Sequence, residues 1–159
     1  MAVDRLRSLL SYDGAGRELV ARLKYRNARA SLPWLAAGMA ALVDRREVDV
    51  VTWVPTTGRR RRSRGFDQGR LLASAVASVL DRPCRATLRR LPGPAQTGRT
   101  LSERRTGPRF GARGRPSGRV LLVDDVCTSG ATMTAAARAL RSAGVARVEG
   151  LTTARAPRR

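Results

Sequence analysis

The sequence predicts an α/β fold: a doubly wound, mostly parallel sheet with flanking helices. Three observations lead there. Short runs rich in β-branched residues alternate with segments of helical periodicity, the pattern of βαβ units. Two of those runs are apolar on successive residues, as expected of strands covered on both faces. Each of the two stops at a polar, glycine-bearing stretch, and open parallel sheets bind ligands beyond the carboxyl ends of their strands.

Residues 14–27, GAGRELVARLKYRN, place Leu19, Val20 and Leu23 on one helical face. A second helix is expected after Pro33, through WLAAGMAALVDR. Residues 1–46 are thus an N-terminal helical segment ahead of a core over 47–159. The core opens with EVDVVTWVP, residues 47–55, a buried strand stopped by proline. FDQGRLLASAVASVLD, residues 66–81, has apolar positions at helical spacing, and CRATLRRL, residues 84–91, reads as a short strand. Residues 92–118, rich in Gly, Pro, Arg and Thr, read as a long flexible loop anchored by Phe110. RVLLVDDV, residues 119–126, is the strongest strand signal in the chain. ATMTAAARALRSAG, residues 131–144, is a helix with Gly144 as its C-cap, and ARVEGLTTAR is a final strand. With 159 residues and no internal repeat, one domain is expected.

Composition narrows the chemistry. The formal charge is +20, almost all from arginine, with Lys24 the single lysine. Such a charge attracts polyanions: nucleic acid, nucleotides or phosphorylated sugars. The absence of histidine excludes a histidine general base and a Cys/His zinc site. Cys84 and Cys127 lie far apart and match no metal spacing. There is neither an apolar run of about 18 residues nor the long apolar stretch of a signal peptide. The expectation is a cytoplasmic protein with no membrane insertion; its oligomeric state is left open.

The stretch VLLVDDVCTSGATM, residues 120–133, carries the sharpest chemistry. Asp124 and Asp125 stand where a buried strand ends. Two neighbouring carboxylates raise each other's pKa unless a cation or hydroxyl groups relieve them. Sugar hydroxyls suit that role, and so does magnesium, which prefers a few oxygen ligands beside substrate phosphates. Next come Cys127, Thr128, Ser129, Gly130, Ala131 and Thr132, directly before a helix. Successive backbone N–H groups and a helix N-terminus make an anion-binding nest there, and the hydroxyls add donors. Acceptors for sugar hydroxyls followed by a phosphate cradle fit a ribose 5-phosphate. The plainer alternative is a strand-to-helix turn with Ser or Thr as N-cap, which explains one hydroxyl and neither acid. Cys127 reads as a small buried filler.

This stretch resembles the phosphoribosyl-pyrophosphate (PRPP) signature of type I phosphoribosyltransferases: an apolar strand, two acids, then a T-T/S-G-x-T loop. The resemblance implies that Asp124 and Asp125 lie over the ribose 2- and 3-hydroxyls, with magnesium entering through the substrate. It implies that Thr128, Ser129, Gly130, Ala131 and Thr132 hold the 5-phosphate. In the same superfamily the loop after the earlier strand receives pyrophosphate. Thr56, Thr57, Gly58, Arg59 and Arg64 fall there, in WVPTTGRRRRSRGFDQGRLLA. The order of that segment, AQTGRTLSERRTGPRF and VLLVDDVCTSGAT is similar to one branch, the ComF-type competence proteins, as is YDGAGRELVARLKYRNAR. By that likeness residues 92–118 correspond to a flexible lid, with Gln96, Arg104 and Arg105 contacting pyrophosphate or acceptor. Family loops of this kind usually end in Asn-Val, where Gly107-Pro108 stands here. The usual R-G-F-N-Q is here Arg64-Gly65-Phe66-Asp67-Gln68. The four-cysteine zinc ribbon with which members usually begin is lacking, so no zinc is expected. The resemblance implies transfer of a phosphoribosyl group from PRPP to an unidentified acceptor. Its alternative is a non-catalytic protein binding PRPP and single-stranded DNA, acting with other competence proteins in DNA uptake and natural transformation.

Overall fold

The architecture was read from a computed structural model, which describes residues 2–25, 28–57, 67–92 and 107–157. The strands are β1 (Arg5–Ser11), β2 (Val50–Trp53), β3 (Leu88–Arg90), β4 (Phe110–Ala112), β5 (Arg119–Cys127) and β6 (Arg147–Arg155). The helices are α1 (Gly14–Tyr25), α2 (Ala28–Ala40), α3 (Gln68–Leu80) and α4 (Ala131–Ser142). Among the described residues β1, β6, β5 and β2 pair in that order, every pair parallel. Cys84 continues the sheet by one parallel bridge to Val51, and β3 and β4 form a separate antiparallel ribbon.

Side chains of the two central strands alternate between two cores, as a pleated strand requires. Leu121, Val123 and Val51 pack against α2 and α3, with Leu35, Met39, Val76 and Leu80. Val120, Leu122 and Val148 pack on the other face, against Met133, Ala136 and Leu140 of α4 and against Phe110. Helices therefore cover both faces, and the expected doubly wound, mostly parallel sheet is what the chain adopts. The apolar run of β5 now has its reason: Val120, Leu121, Leu122 and Val123 are each at most 2% exposed.

Several elements differ from the reading of the sequence. The N-terminal segment opens with a strand: β1 lies parallel to β6, with Leu6 opposite Gly150. Its residues RLRSLLS are half polar because it is an edge strand, so the apolar signal is weak. Helix α2 begins before Pro33 and keeps that residue inside, five places after its start. Proline removes one hydrogen bond and strains the turn, at about 3 kcal/mol in a helix interior. The stripe of Leu35, Ala36, Met39 and Ala40, all almost fully buried, offsets that cost. The helix also stops at Ala40, and Asp44 caps a short 3-10 turn, Arg45–Glu47, accepting from the Arg46 N–H. In α1, Val20 is buried; the side chains of Leu19 and Leu23, expected on the same face, lie outside those described.

The stretch 92–118 contains β4, and Phe110 is buried in the second core with the Arg90 guanidinium over its ring at 5.4 Å. Burying such a ring contributes about 2 kcal/mol, enough to hold a three-residue strand in place. Gly144 follows the end of α4 at φ +96°, donating its N–H to the Arg141 carbonyl while Val145 reaches the Leu140 carbonyl. Glycine takes this left-handed conformation without the steric cost of a Cβ.

Candidate functional site

Strands β2 and β5 run side by side until Trp53, which lies opposite Val123. One further bond, from the Val54 N–H to the Val123 carbonyl at 3.0 Å, closes the ladder. Beyond it β2 has ended while β5 continues to Cys127 along β6. The next two residues of β5 are Asp124 and Asp125. They lie within the strand, near its carboxyl end as the sequence reading of residues 119–126 expected, with Asp124 opposite Thr152 of β6. Past Val54, β2 no longer pairs with β5, and the chain leaves it through Pro55, Thr56 and Thr57 at the carboxyl edge of the sheet.

Each acid is half-buried and uses one oxygen to hold the chain beside it. Asp124 Oδ1 accepts from the Asp125 N–H at 2.8 Å, and Asp125 Oδ1 accepts from the Val126 N–H at 2.7 Å. The carboxylates are thereby oriented before any ligand arrives. Carboxylate oxygens are the ligand type that magnesium takes beside substrate phosphates, so either acid would suit an ion that enters with a substrate. Among the described residues no group of three or more His, Cys, Asp or Glu gathers to hold a metal by itself.

Cys127 is buried, and burial pushes its thiol pKa up, with Asp124 adding to the effect. A raised thiol is a poor nucleophile, which agrees with a packing role. Thr128 and Ser129 are exposed. Gly130 is buried at φ +78° and serves as N-cap of α4, with no side chain capping the helix. The Ser129 hydroxyl makes only a long contact, 3.4 Å, from the Ala131 N–H. A Ser or Thr N-cap is thus not what the chain adopts: the residue at the cap is Gly130, and Thr128 and Ser129 beside it are exposed. Ala131 and Thr132 form the first turn of α4, and Thr132 is half-buried.

The sheet therefore brings together Asp124, Asp125, the 128–132 turn and the start of the loop after β2. Thr56 and Thr57 are half-buried there. Gly58, Arg59 and Arg64, and the lid candidates Gln96, Arg104 and Arg105, lie outside the described residues.

Two residues at this edge gain a role that the sequence reading did not give them. Asp67 is the N-cap of α3: its Oδ1 accepts from the Arg70 N–H at 3.3 Å. Its Oδ2 accepts from the Trp53 indole N–H, also at 3.3 Å. The pair ties the end of β2 to the start of α3. Gly69 allows the approach, since a Cβ there would stand 3.2 Å from the Val54 carbonyl oxygen. The signal available beforehand was an aspartate directly ahead of an apolar helical run.

The family described as "Phosphoribosyl transferase domain" matches residues 67–159, more than half of the chain. The chain belongs to the phosphoribosyltransferase family. It is similar to "Competence protein ComFC" of Bacillus subtilis (strain 168), at 29% identity over 146 residues. That alignment covers 88% of this chain and 59% of the relative, so the chain spans little more than half of that protein's length. Among solved structures, the glutamine PRPP amidotransferase from B. subtilis superposes with a TM-score of 0.53 at 25% identity, over 76% of this chain and 25% of that one. Purine phosphoribosyltransferase from Pyrococcus horikoshii Ot3 gives a TM-score of 0.53 at 18% identity, over 80% of this chain and 74% of that one, a likeness of fold. The phosphoribosyltransferase match includes β5, both acids and the glycine-capped turn.

Proposed function

We propose that the chain binds PRPP together with magnesium and transfers its phosphoribosyl group to an acceptor, releasing pyrophosphate. The observation that carries this reading is the glycine-capped N-terminus of α4, with Gly130 at φ +78°, one short turn after two carboxylates held by backbone N–H groups. An open helix N-terminus favours a phosphate, and hydroxyls at 128, 129 and 132 add donors. Asp124 and Asp125 accept from the ribose hydroxyls. The bond from the anomeric carbon to pyrophosphate breaks with its electron pair leaving on the phosphate oxygen, and the bond to the acceptor forms at that carbon. Magnesium, bound with the substrate, neutralises charge on the leaving oxygens. The protein's own contribution is positioning of the sugar and phosphate ends rather than acid–base chemistry.

A second reading is favoured by the charge of +20 and by the name of the ComFC relative: a protein that binds PRPP and single-stranded DNA without turnover. The two diverge in the salt dependence of DNA affinity, because each phosphate contact releases counterions.

The test is calorimetric titration of PRPP with magnesium into the parent and into the Asp124→Asn/Asp125→Asn variant. The parent is expected to bind saturably, and the variant about tenfold more weakly or worse, roughly 1.4 kcal/mol. Absence of binding by a folded parent would overturn the assignment. Binding without pyrophosphate release, in the presence of candidate acceptors, would favour the second reading.

A further inference from the structure

The other end of the same strands carries a second concentration of unusual residues. A cavity of about 410 Å³ opens where β2 and β5 begin, between residues 83–87 and residues 113–118. Arg85, Arg113 and Arg115 line it, and all three are exposed. Among the described residues none of the three has a carboxylate partner. The one acid that lines the cavity, Asp49, is already taken. Arg119 grips it through Nη2 at 2.7 Å and Nε at 3.0 Å, and the Arg119 N–H donates at 2.8 Å. These bonds hold the Asp49 carboxyl well below the usual carboxylate range.

The walls are fixed by backbone bonds rather than by the arginines themselves. The Arg113 N–H donates to the Thr87 carbonyl at 2.7 Å, and the Arg85 N–H to the Val51 carbonyl at 2.9 Å. Gly118 sits at φ +78°, where a Cβ would stand 2.8 Å from Asp49 Oδ2, so only glycine lets the Asp49–Arg119 clasp close. Gly114, between two of the arginines, has φ +66° and open space where its Cβ would be. A ligand can therefore approach the backbone there. Three uncompensated cations around one opening repel each other, and an anion removes that cost.

We propose that this cavity is a binding site for a small organic phosphate monoester, separate from the PRPP site. Guanidinium forks match phosphate oxygens in pairs, and three of them suit a dianion better than a singly charged carboxylate. The volume lies within the range of small-molecule sites, roughly 300–1,000 Å³. Ser117 adds a hydroxyl for the organic part. No aromatic side chain lines the cavity, so a nucleobase finds no stacking platform and a sugar phosphate is the better fit. This inference does not depend on the proposed transferase reaction.

The test uses backbone amide NMR of the full chain, with glucose 6-phosphate and, separately, oligothymidylate as probes near physiological salt. Glucose 6-phosphate is expected to shift the amides of Gly114, Ser117 and Gly118 saturably. The Arg113→Ala/Arg115→Ala variant, whose side chains are exposed, is expected to lose at least about tenfold in that affinity, roughly 1.4 kcal/mol. The Gly130 amide, recorded in the same spectra, reports the PRPP site independently. No saturable shift at 113–118, an unchanged response in the variant, or a response to oligothymidylate alone would each overturn the proposal.

Discussion

Asp67 accepts two hydrogen bonds from different elements, the Arg70 N–H on Oδ1 and the Trp53 indole on Oδ2. An asparagine at this place, the residue usual in ComF-type sequences, has one acceptor oxygen and would turn its NH2 toward a donor. Asp67→Asn is therefore expected to lower stability by about 1 kcal/mol, through one lost bond and a weaker charge at the α3 N-terminus. Urea unfolding measures this, and an unshifted midpoint would show that the Trp53 bond contributes nothing. Glu149 is the other decisive residue, 2% exposed within β6. Burial raises its pKa; hydrogen bonds from Arg147 and Arg7 lower it more, so the net shift is below the ordinary 4.5. Protons then bind the unfolded chain more readily than the folded one. The stability this gives is complete above the unfolded value of 4.5 and drains away as pH falls through it toward the lower folded value. Glu149→Gln should reduce the acid sensitivity of unfolding and cost about 3 kcal/mol near neutral pH, because Arg7 loses its buried carboxylate partner and Arg147 keeps only Glu47. Unfolding free energies across that pH range for both chains check it.

At the scale of elements, the β2–β5 junction is what makes the site: one strand stops at Trp53 and its neighbour continues to Cys127. The length of β2 is set by Pro55 and by the pull of α3 on Trp53, neither of which lies in β5. A buried hydrogen bond at 2.8 Å between the Thr52 and Thr87 hydroxyls ties β2 to the chain leading into β3. Thr52→Val leaves the Thr87 hydroxyl buried without that partner and is expected to cost about 2 kcal/mol. The double change Thr52→Val/Thr87→Val should cost less than the single one, since both polar groups go together. A thermal unfolding series of the three variants tests this, and a double variant weaker than Thr52→Val would refute it. The sequence made β5, α4 and the acid–glycine order legible because these follow from residues adjacent in the chain. It did not reveal β1, whose partner β6 lies some 140 residues away, nor β4, whose three residues are held by Phe110 burial.

For the molecule as a whole, the charge of +20 is a standing electrostatic load. The described ion pairs join Arg7 and Arg147 to Glu149, Arg147 also to Glu47, Arg141 to Asp4, Arg119 to Asp49, Arg45 to Asp81 and Arg46 to Asp44, so the few acids are concentrated at arginine contacts. Repulsion among the remaining cations opposes the compact state and is screened within about 10 Å at 0.1 M salt. The unfolding temperature should therefore rise with added sodium chloride, opposite to a chain held mainly by surface ion pairs. Calorimetry at low and moderate ionic strength decides this, and a falling temperature would mean that attraction within the ion pairs outweighs the repulsion.

By itself the sequence determined the fold class, the strand that carries two acids, and the glycine turn into a helix. Each is a local pattern: unbroken apolar runs, a glycine just ahead of a helix, a helical stripe. Only the tertiary structure decided that β5 outlasts β2, that Asp124 and Asp125 stand on a strand edge, that Asp67 reaches Trp53, and that Arg85, Arg113 and Arg115 share one cavity. Those facts depend on which distant segments pair and where pairing stops. Strand pairing is set by packing on both faces of the sheet at once, and no stretch of chain carries that information alone.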